Sequence, residues 1–553
     1  MKRWTLIRAA AFAGLAMVLS LAPAAAQNQG PGQGQNQGQS QGNGGGTATF
    51  VQPYIEVNQV LTAELTPGDD VLTFTQIAAG VDTTIAGRNS VASVSVRYER
   101  NIGYGDAVDS DAISGIARGS LAIVPRAVTF EAGALASRTR IDGGSGVTPN
   151  PLVAEDQTSD IYSLYAGPTV ATRAGIFDVN ASAFVGYNRI EVNDAIVTDE
   201  GEPLDVFDES VTYAGQVRVG TQPGNGLPIG IGVGAGGFQE DVDTLDQRVR
   251  DVYVRADVTV PLTDSLAVVG GVGYENVEVS SRDALRDAEG DPVIGDDGRF
   301  VTDTSAPRRI AFDVDGFIWD VGVQWNPSRR TSLTATVGRR YASTTYFGSF
   351  NYVPDSRSAV SINVYDGLTG FGGALTNQLA GLDADFEATR NALTGDFTGL
   401  VTGDDGASGL GLLGSTRGSA FRGRGGNISY QRTIGRLNAA VIAGYDRRTF
   451  IGAEGTVFEE LDGARDESYY LVGTVGSQLG QSGAISASAY ANWFSSQADN
   501  SDLTAYGASA AYNRNLTSRL IARAAVAVDY FDSDFSDQDF AAASALVGLR
   551  YNF

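Results

Sequence analysis

The chain of 553 residues contains no cysteine and no histidine. Without cysteine it cannot form a disulfide framework, a thiolate zinc site or a cysteine nucleophile. Without histidine it lacks the imidazole of Ser–His couples and of HExxH zinc proteases. The formal charge of −25 disfavours a nucleic-acid partner, which needs a basic surface. These absences predict a protein that is not an enzyme and that uses neither a cofactor nor a metal ion.

Residues 1–26 have the organisation of a secretory signal peptide. Basic residues precede an apolar stretch over residues 9–22, and Ala24-Ala25-Ala26 offers small side chains for cleavage. Residues 27–46 consist mainly of Gln, Gly, Asn and Ser and lack the apolar side chains of a core. Such a segment cannot bury enough surface to offset its ordering entropy, so we expect a disordered tail.

From residue 47 onward, apolar residues recur at every second position, which is the period of a β-strand with one apolar face. In the clearest example this face consists of Val252, Val254, Ala256, Val258 and Val260. The opposite face carries Arg255 and Asp257, and charged side chains at mid-strand are costly against lipid. Aromatic residues tend to end the apolar faces, as at Tyr187, Tyr445, Trp493, Tyr530 and Tyr551. These features indicate membrane-spanning strands with aromatic girdles and a wet inner face.

Short turns alternate with longer, acidic connections such as 191–208, 280–309 and 532–539. This alternation is typical of outer-membrane barrels, in which the short turns face the periplasm. An open sheet would leave unpaired backbone groups in hydrocarbon, so the sheet must close. We therefore expect residues 47–553 to form an all-β, transmembrane, antiparallel up-and-down β-barrel with long outer loops. About 22 strands fit the chain, and any even number from about 16 to 22 is acceptable.

The long loop over residues 367–420 differs from the other connections. Its apolar residues recur at helical spacing with two carboxylates among them: Leu375, Leu379, Leu382, Asp383, Asp385 and Phe386. This spacing predicts one or two short amphipathic helices. Two interpretations remain open. The loop is either a constriction element folded into the pore or a cap packed on neighbouring outer loops. Barrels of about 22 strands normally hold a plug, so some element must narrow this lumen.

Strand parity also predicts which charged side chains face the lumen. The candidates are Glu56, Arg97, Arg118, Arg218, Arg255, Asp257, Arg436, Asp446, Arg448, Arg523, Asp529 and Arg550. Arginines and carboxylates together create either an aqueous path that sorts solutes by size and charge, or an ion-pair network that stiffens the wall. Both interpretations require a wet interior.

The chain ends in Arg550-Tyr551-Asn552-Phe553, with Tyr551 and Phe553 on the apolar face of the last strand. This ending resembles the C-terminal strand signal of bacterial outer-membrane barrels, which the barrel-assembly machinery reads. Tyr551 and Phe553 are therefore candidates for an assembly signal. The resemblance implies that the barrel-assembly machinery is a partner and that the protein resides in the bacterial outer membrane.

Three further segments resemble the EpsL-like, putative β-barrel porin group, which is associated with exopolysaccharide loci. They are Pro53–Leu61, Val71–Val81 and Thr334–Asp366, the last with Gly338-Arg339-Arg340-Tyr341. The resemblance implies a large outer-membrane barrel and assigns no biochemical role.

The leading hypothesis is a porin-like channel for small solutes or for export of a polymer. The alternative is a non-conducting structural or surface-interaction barrel with a filled lumen. A gated receptor is disfavoured, because such receptors carry a plug domain before the first strand and little sequence precedes Phe50. We expect the lipid bilayer and lipopolysaccharide as further partners, and the sequence does not predict an oligomeric state.

Overall fold

The computed structural model describes residues 48–105, 107, 109–141, 147–148, 158–192, 206–295, 299–403, 406–409, 415–498, 500–534 and 539–553. The predicted signal peptide and tail lie outside these residues. Among the helices in this part of the chain, none is long and apolar enough to cross a membrane.

The strands, in chain order, are β1 (Ala48–Thr66), β2 (Val71–Ala86), β3 (Ser90–Tyr104), β4 (Ser110–Val124), β5 (Val128–Ile141), β6 (Val147–Thr148), β7 (Thr158–Ala174), β8 (Phe177–Val192), β9 (Glu209–Thr221), β10 (Gly230–Val242), β11 (Gln247–Thr263), β12 (Leu266–Ser281), β13 (Arg309–Ser328), β14 (Thr331–Arg340), β15 (Ser343–Asp355), β16 (Ser358–Thr369), β17 (Glu387–Arg390), β18 (Phe397–Gly403), β19 (Gly406–Gly409), β20 (Phe421–Ile434), β21 (Leu437–Phe450), β22 (Arg465–Leu479), β23 (Gly483–Ser496), β24 (Ser501–Asn515), β25 (Leu520–Ser533) and β26 (Phe540–Asn552). Apart from the two-residue β6 and the short β17–β19, they form one closed antiparallel barrel of 22 strands.

The first and last strands close the barrel. β1 pairs with β2 on one side and with β26 on the other, from Tyr54 opposite Asn552 to Thr66 opposite Ala541. Closure removes the two free edges that an open sheet would present to hydrocarbon. The predicted fold, an all-β transmembrane barrel of about 22 strands, is confirmed.

The two faces of the wall separate apolar from polar side chains. On β11, the outer-face residues Val252 and Val254 are 39% and 55% exposed, whereas the inner-face residues Asp251 and Asp257 are 7% and 9% exposed. The barrel strands contain 10 to 20 residues. A tilted strand needs only about 9–11 residues to cross a bilayer. Several strands therefore extend beyond the membrane.

The two ends of the barrel differ in their connections. One end has the short turns 87–89, 125–127, 175–176, 222–229, 264–265, 329–330, 356–357, 435–436, 480–482 and 516–519. The other end has the long connections 142–157, 193–208, 282–308, 370–420 and 451–464 together with some short ones. We call these the short-turn end and the long-loop end. In barrels of this class the short turns face the periplasm.

The β14–β15 hairpin is shorter than its neighbours at the long-loop end. β14 ends at Arg340, and β15 pairs with β16 over Gly348–Tyr352 and one further residue. The hydroxyl of Tyr341, at the hairpin tip, donates to Asp251 on β11 at 3.0 Å, and Arg340 donates to Asp251 and to Glu275 on β12. The tip therefore bends over the inner face of β13 toward these two strands.

Between β16 and β20, the described residues 370–403, 406–409 and 415–420 enter the lumen, and we call them the inserted segment. The segment begins with helix α1 (Phe371–Gly381) and continues with the three-stranded sheet β17–β19. A helix was predicted here, but it ends earlier than the apolar spacing indicated. Leu382 has an extended backbone, with φ −72° and ψ 153°, and the candidates Asp383, Asp385 and Phe386 follow outside the helix. Glycine at position 381 and aspartate at position 383 are both poor helix formers, which explains this end.

Candidate functional site in the lumen

The start of the inserted segment packs its apolar side chains against the inner wall. One buried cluster joins Leu375, Leu379, Leu382 and Phe386 to wall residues Ile116, Leu135, Ile161, Tyr165 and Ile190. Leu379 is 0% exposed within it. Asp383 and Asp385 remain exposed beside this contact. The four apolar candidates therefore face the wall of β4, β5, β7 and β8, and burial of their surface stabilises the docked segment.

Polar contacts orient helix α1 on this wall. Asn188 on β8 donates its side-chain amide to the Thr376 hydroxyl at 3.0 Å, and Glu240 on β10 accepts the N–H of Gly370 at 2.9 Å. A Cβ on Gly373 would lie 2.6 Å from Glu240 Oε2. Glycine is therefore required where the buried carboxylate approaches the positive end of the helix dipole.

The sheet β17–β19 occupies the lumen closer to the short-turn end. Phe386 donates its backbone N–H to Ser93 on β3 at 3.1 Å. Leu393 belongs to a buried cluster with Val60 and Leu546, which lie on the first and last strands. Leu400 belongs to another cluster with residues of β21 and β22. The inserted segment thus contacts the wall along much of the height of the lumen.

Glu56 is the centre of a charged network on the inner wall. It is 1% exposed and accepts hydrogen bonds from Arg97, from Arg523 at 3.2 Å and from Arg550 at 3.4 Å. Arg523 also donates to the carbonyl of Ala392 at 2.7 Å, so this network includes the inserted segment. Four of the predicted inward-facing residues therefore form one site.

The other predicted lumen residues form separate pairs. Arg118 donates to Glu131 and Tyr165, Arg218 to Asp257, and Arg255 to Asp320. Arg448 donates to Asp446 at 3.0 Å, and Asp529 accepts from Tyr490 at 3.0 Å. These side chains lie on the inner face, and each forms a local ion pair or hydrogen bond; a role in lining a pore stays a prediction.

Arg436 is an exception. It lies in the exposed turn between β20 and β21 and donates to the carbonyl of Gly480 in a neighbouring turn at 3.3 Å. Gly435 has φ +63°, and this turn interrupts the alternation on which the prediction depended. Arg436 therefore lies on the rim at the short-turn end and not on the inner face.

Some charged residues of the site lie on the inserted segment, where the alternation of the barrel strands does not apply and gives no prediction. Arg390 donates to the hydroxyls of Ser95 and Ser114 and to the carbonyl of Gly395, and Asp396 is 1% exposed nearby. Arg390 is the only basic residue between positions 370 and 416. An isolated arginine in a loop with a candidate role as a constriction element was the available signal.

The inserted segment covers only part of the inner wall. The inward residues Glu56, Asn58, Val60 and Thr62 of β1 are at most 1% exposed. Across the barrel, one strip of inward residues on β14–β16 stays partly exposed, namely Thr334, Thr336, Ser349, Asn351, Ser361 and Asn363. The inward residues Gln216 on β9 and Gln324 on β13 are exposed. We call the six residues on β14–β16 the neutral strip, since none of them is charged; the same face of β15 also carries Phe347, opposite Thr336 and 49% exposed.

Two cavities lie below the inserted segment at the short-turn end. The smaller, of about 370 Å³, is lined by Tyr54, Glu56, Arg97, Arg390, Arg523 and Arg550 among others. The larger, of about 900 Å³, includes Asp385 in its lining and shares Arg390 with the first. We call the smaller one the arginine cavity.

The long-loop end carries ion pairs in its acidic connections. Asp246 accepts hydrogen bonds from Arg282, at 2.7 Å, and from Arg308. Ser305 donates its hydroxyl and its backbone N–H to Asp303, which lowers the pKa of that carboxyl. Within the described part of the chain, no group of three or more carboxylates is placed to hold a metal ion. Lipopolysaccharide as a partner stays a prediction.

The closed wall, the apolar outer face and the polar lumen define a barrel of the outer-membrane type. No family model matches the chain, and no curated protein matches its sequence. The resemblance to the EpsL-like group therefore has no support from a family model.

Several solved structures have a similar architecture at low sequence identity. The siderophore receptor PiuA from Acinetobacter baumannii is 8% identical with a TM-score of 0.42, over 91% of this chain and 82% of that one. The FrpB iron transporter from Neisseria meningitidis is 10% identical with a TM-score of 0.42, over 90% and 81%. A loop-deleted form of the outer membrane protein OmpT from Vibrio cholerae is 10% identical with a TM-score of 0.26, over 92% and 100%.

Proposed function

We propose that this protein is an outer-membrane channel for small hydrophilic solutes, narrowed by its own inserted segment. The aqueous path runs along the neutral strip, beside the inserted segment and below the tip of the β14–β15 hairpin. The proposed function extends to export of a polymer only if the inserted segment moves away from the wall on which it is docked.

The uneven exposure of the inner wall supports this function. Asn58 on β1 is 1% exposed beneath the inserted segment, whereas Ser349 and Asn363 across the barrel keep partly exposed side chains. Hydroxyl and amide groups need no fixed partner where water satisfies them, so this wall is suited to a hydrated path. The wall around Glu56, in contrast, is occupied by contacts to the inserted segment, as between Arg523 and Ala392.

The absence of cysteine allows a direct test by single-cysteine substitution. Ser349→Cys places a thiol in the proposed path, and Ser137→Cys places one on the covered wall of β5, where the serine is 1% exposed. We expect a charged methanethiosulfonate reagent to reduce the current of Ser349→Cys in planar bilayers. The currents of Ser137→Cys and of the cysteine-free parent should not change. An unchanged current in Ser349→Cys, with modification verified by mass, would contradict the proposed path.

The buried contacts of the inserted segment favour the second candidate function, a non-conducting barrel with a filled lumen. The cluster around Leu379 excludes water from part of the lumen, as a structural filling would. The same recordings separate the two functions. Discrete conductance steps from the intact protein support the channel, and silence at all voltages supports the structural barrel.

A further inference from the structure

The arginine cavity differs in charge from the protein as a whole. The chain has a formal charge of −25, yet four arginines and one glutamate line this cavity. Its rim includes Ser482 and Asn515, which lie in or next to short turns. The cavity is therefore accessible from the short-turn end, which faces the periplasm in barrels of this class.

The carboxylates around these four arginines are unevenly shared among them. Glu56 accepts hydrogen bonds from three of them, and Asp82 and Glu99 each bind one from outside the cavity lining. Within the described residues, every hydrogen-bond acceptor of Arg390 is an uncharged serine or backbone oxygen. The four guanidinium groups thus meet three carboxylates at hydrogen-bond distance, and Asp396 of the inserted segment is a fourth carboxylate within electrostatic range of Arg97 and Arg390.

Two of the arginines have hydrogen-bond donors to spare. Of the five N–H groups of a guanidinium, Arg523 uses two, toward Glu56 and Ala392, and Arg550 uses three. Both side chains are partly exposed, at 15% and 23%. Arg550 also lies 3.6 Å above the Tyr54 ring, which holds its guanidinium plane in place.

The cavity also lies on the contact between the inserted segment and the wall. Arg390 and Gly395 belong to the inserted segment, whereas Arg97, Arg523 and Arg550 belong to β3, β25 and β26. Gly395 has φ +73°, and a Cβ on it would lie 2.4 Å from Arg97 Nε. Arg390, which lies in the same part of the segment, interacts electrostatically with Arg97, and an anion between them would reduce their repulsion.

From this geometry we propose that the arginine cavity is a binding site for a small oxyanion that enters from the periplasmic side. Its ligand is a carboxylate, phosphate or sulfate group that accepts hydrogen bonds from Arg523 and Arg550, as planar guanidinium groups favour. Arg390 contributes charge without a direct hydrogen bond. The site does not depend on conduction, and it links the ligand to both the barrel wall and the inserted segment.

Isothermal titration of the full-length protein in detergent at low ionic strength tests this site, with potassium phosphate, sulfate and acetate as probes. We expect saturable binding that weakens about tenfold or more in Arg523→Gln and in Arg550→Gln, because each loses a charge-assisted hydrogen bond. Glu56→Gln removes the internal competitor and should bind more tightly. Arg255→Gln is the matched control, since Arg255 pairs with Asp320 away from the cavity and its loss should leave affinity unchanged.

The probes also separate the possible ligands. Stronger binding of phosphate and sulfate than of acetate identifies a doubly charged ligand, and the reverse order identifies a carboxylate. Absence of binding by all three probes would overturn the site. Equal losses in Arg523→Gln and Arg255→Gln would overturn it as well. So would weaker binding by a folded Glu56→Gln variant, because Glu56 would then not compete with the ligand.

Discussion

Replacement of Leu379 by alanine should release the inserted segment from the wall while the barrel stays closed. Leu379 is 0% exposed in the cluster that joins helix α1 to Leu135, Ile161 and Tyr165. Truncation of a buried leucine costs about 2–5 kcal/mol through lost burial and the cavity that remains. The closing pairs between β1 and β26 do not include this cluster. The cost therefore falls on docking of the segment.

A labelling rate measures this change in docking. A loss of about 2–5 kcal/mol raises the undocked population roughly 30-fold to several thousand-fold. Ser137→Cys reports on it, because the serine is 1% exposed on β5 next to the docked helix. When the segment redocks faster than the thiol reacts, the labelling rate is proportional to the undocked population. We therefore expect Ser137→Cys to be labelled roughly 30-fold to several thousand-fold faster when Leu379→Ala is added.

The matched control is Leu471→Ala, in which an outer-face leucine that is 44% exposed loses the same atoms. It should leave labelling of Ser137→Cys unchanged. Heat-modifiable gel mobility confirms that each variant is a folded barrel. Equal labelling rates with and without Leu379→Ala, in a folded barrel, would refute the conclusion that apolar docking holds the inserted segment in place.

Three further changes have expected outcomes. Glu240→Gln should speed labelling of Ser137→Cys about tenfold, because the charged acceptor at the start of helix α1 contributes roughly 1–2 kcal/mol. Phe553→Ala should lower the folded fraction in outer membranes, measured by heat-modifiable mobility, and equal yields of Phe553→Ala and of the rim variant Arg436→Ala would contradict an assembly role for Phe553. Thr336→Asp should shift the reversal potential in a salt gradient toward cation selectivity, and an unchanged potential would place Thr336 outside the conducting path.

The wall was predictable because its chemistry repeats along each strand. Every second residue of β11 faces lipid, and this does not depend on which strands are its neighbours. The apolar character of Val252 and Val254 could therefore be interpreted from the local sequence alone. Charged residues such as Arg255 must then lie inside. The pattern failed at Arg436, because the turn at Gly435 ends the alternation and the residue after it belongs to neither face.

The inserted segment was less predictable, because its contacts join residues far apart in the chain. Glu240 and Gly370 form a hydrogen bond although they are 130 positions apart in the sequence. A periodic pattern within one element cannot predict such a contact between a strand and the start of a distant helix. The spacing of Leu375, Leu379 and Phe386 indicated one buried face, and all three are buried in one cluster. Phe386 reaches that cluster from an extended stretch, which a helical period cannot distinguish from a longer helix.

The placement of the inserted segment follows from the two kinds of inner wall. Leaving one member of a buried ion pair without its partner strongly destabilises the protein. The charged wall around Glu56 therefore needs a fixed cover that completes its hydrogen bonds, as the carbonyl of Ala392 does for Arg523. The neutral strip has no such requirement, because water satisfies hydroxyl and amide groups such as those of Ser349 and Asn363. A segment that can cover only one side of a wide lumen is therefore stabilised on the side of the Glu56 network, whereas ion pairs such as Arg218–Asp257 stay partly exposed to solvent. The proposed water-filled path then lies along the neutral strip, and Arg523 binds the inserted segment at the arginine cavity.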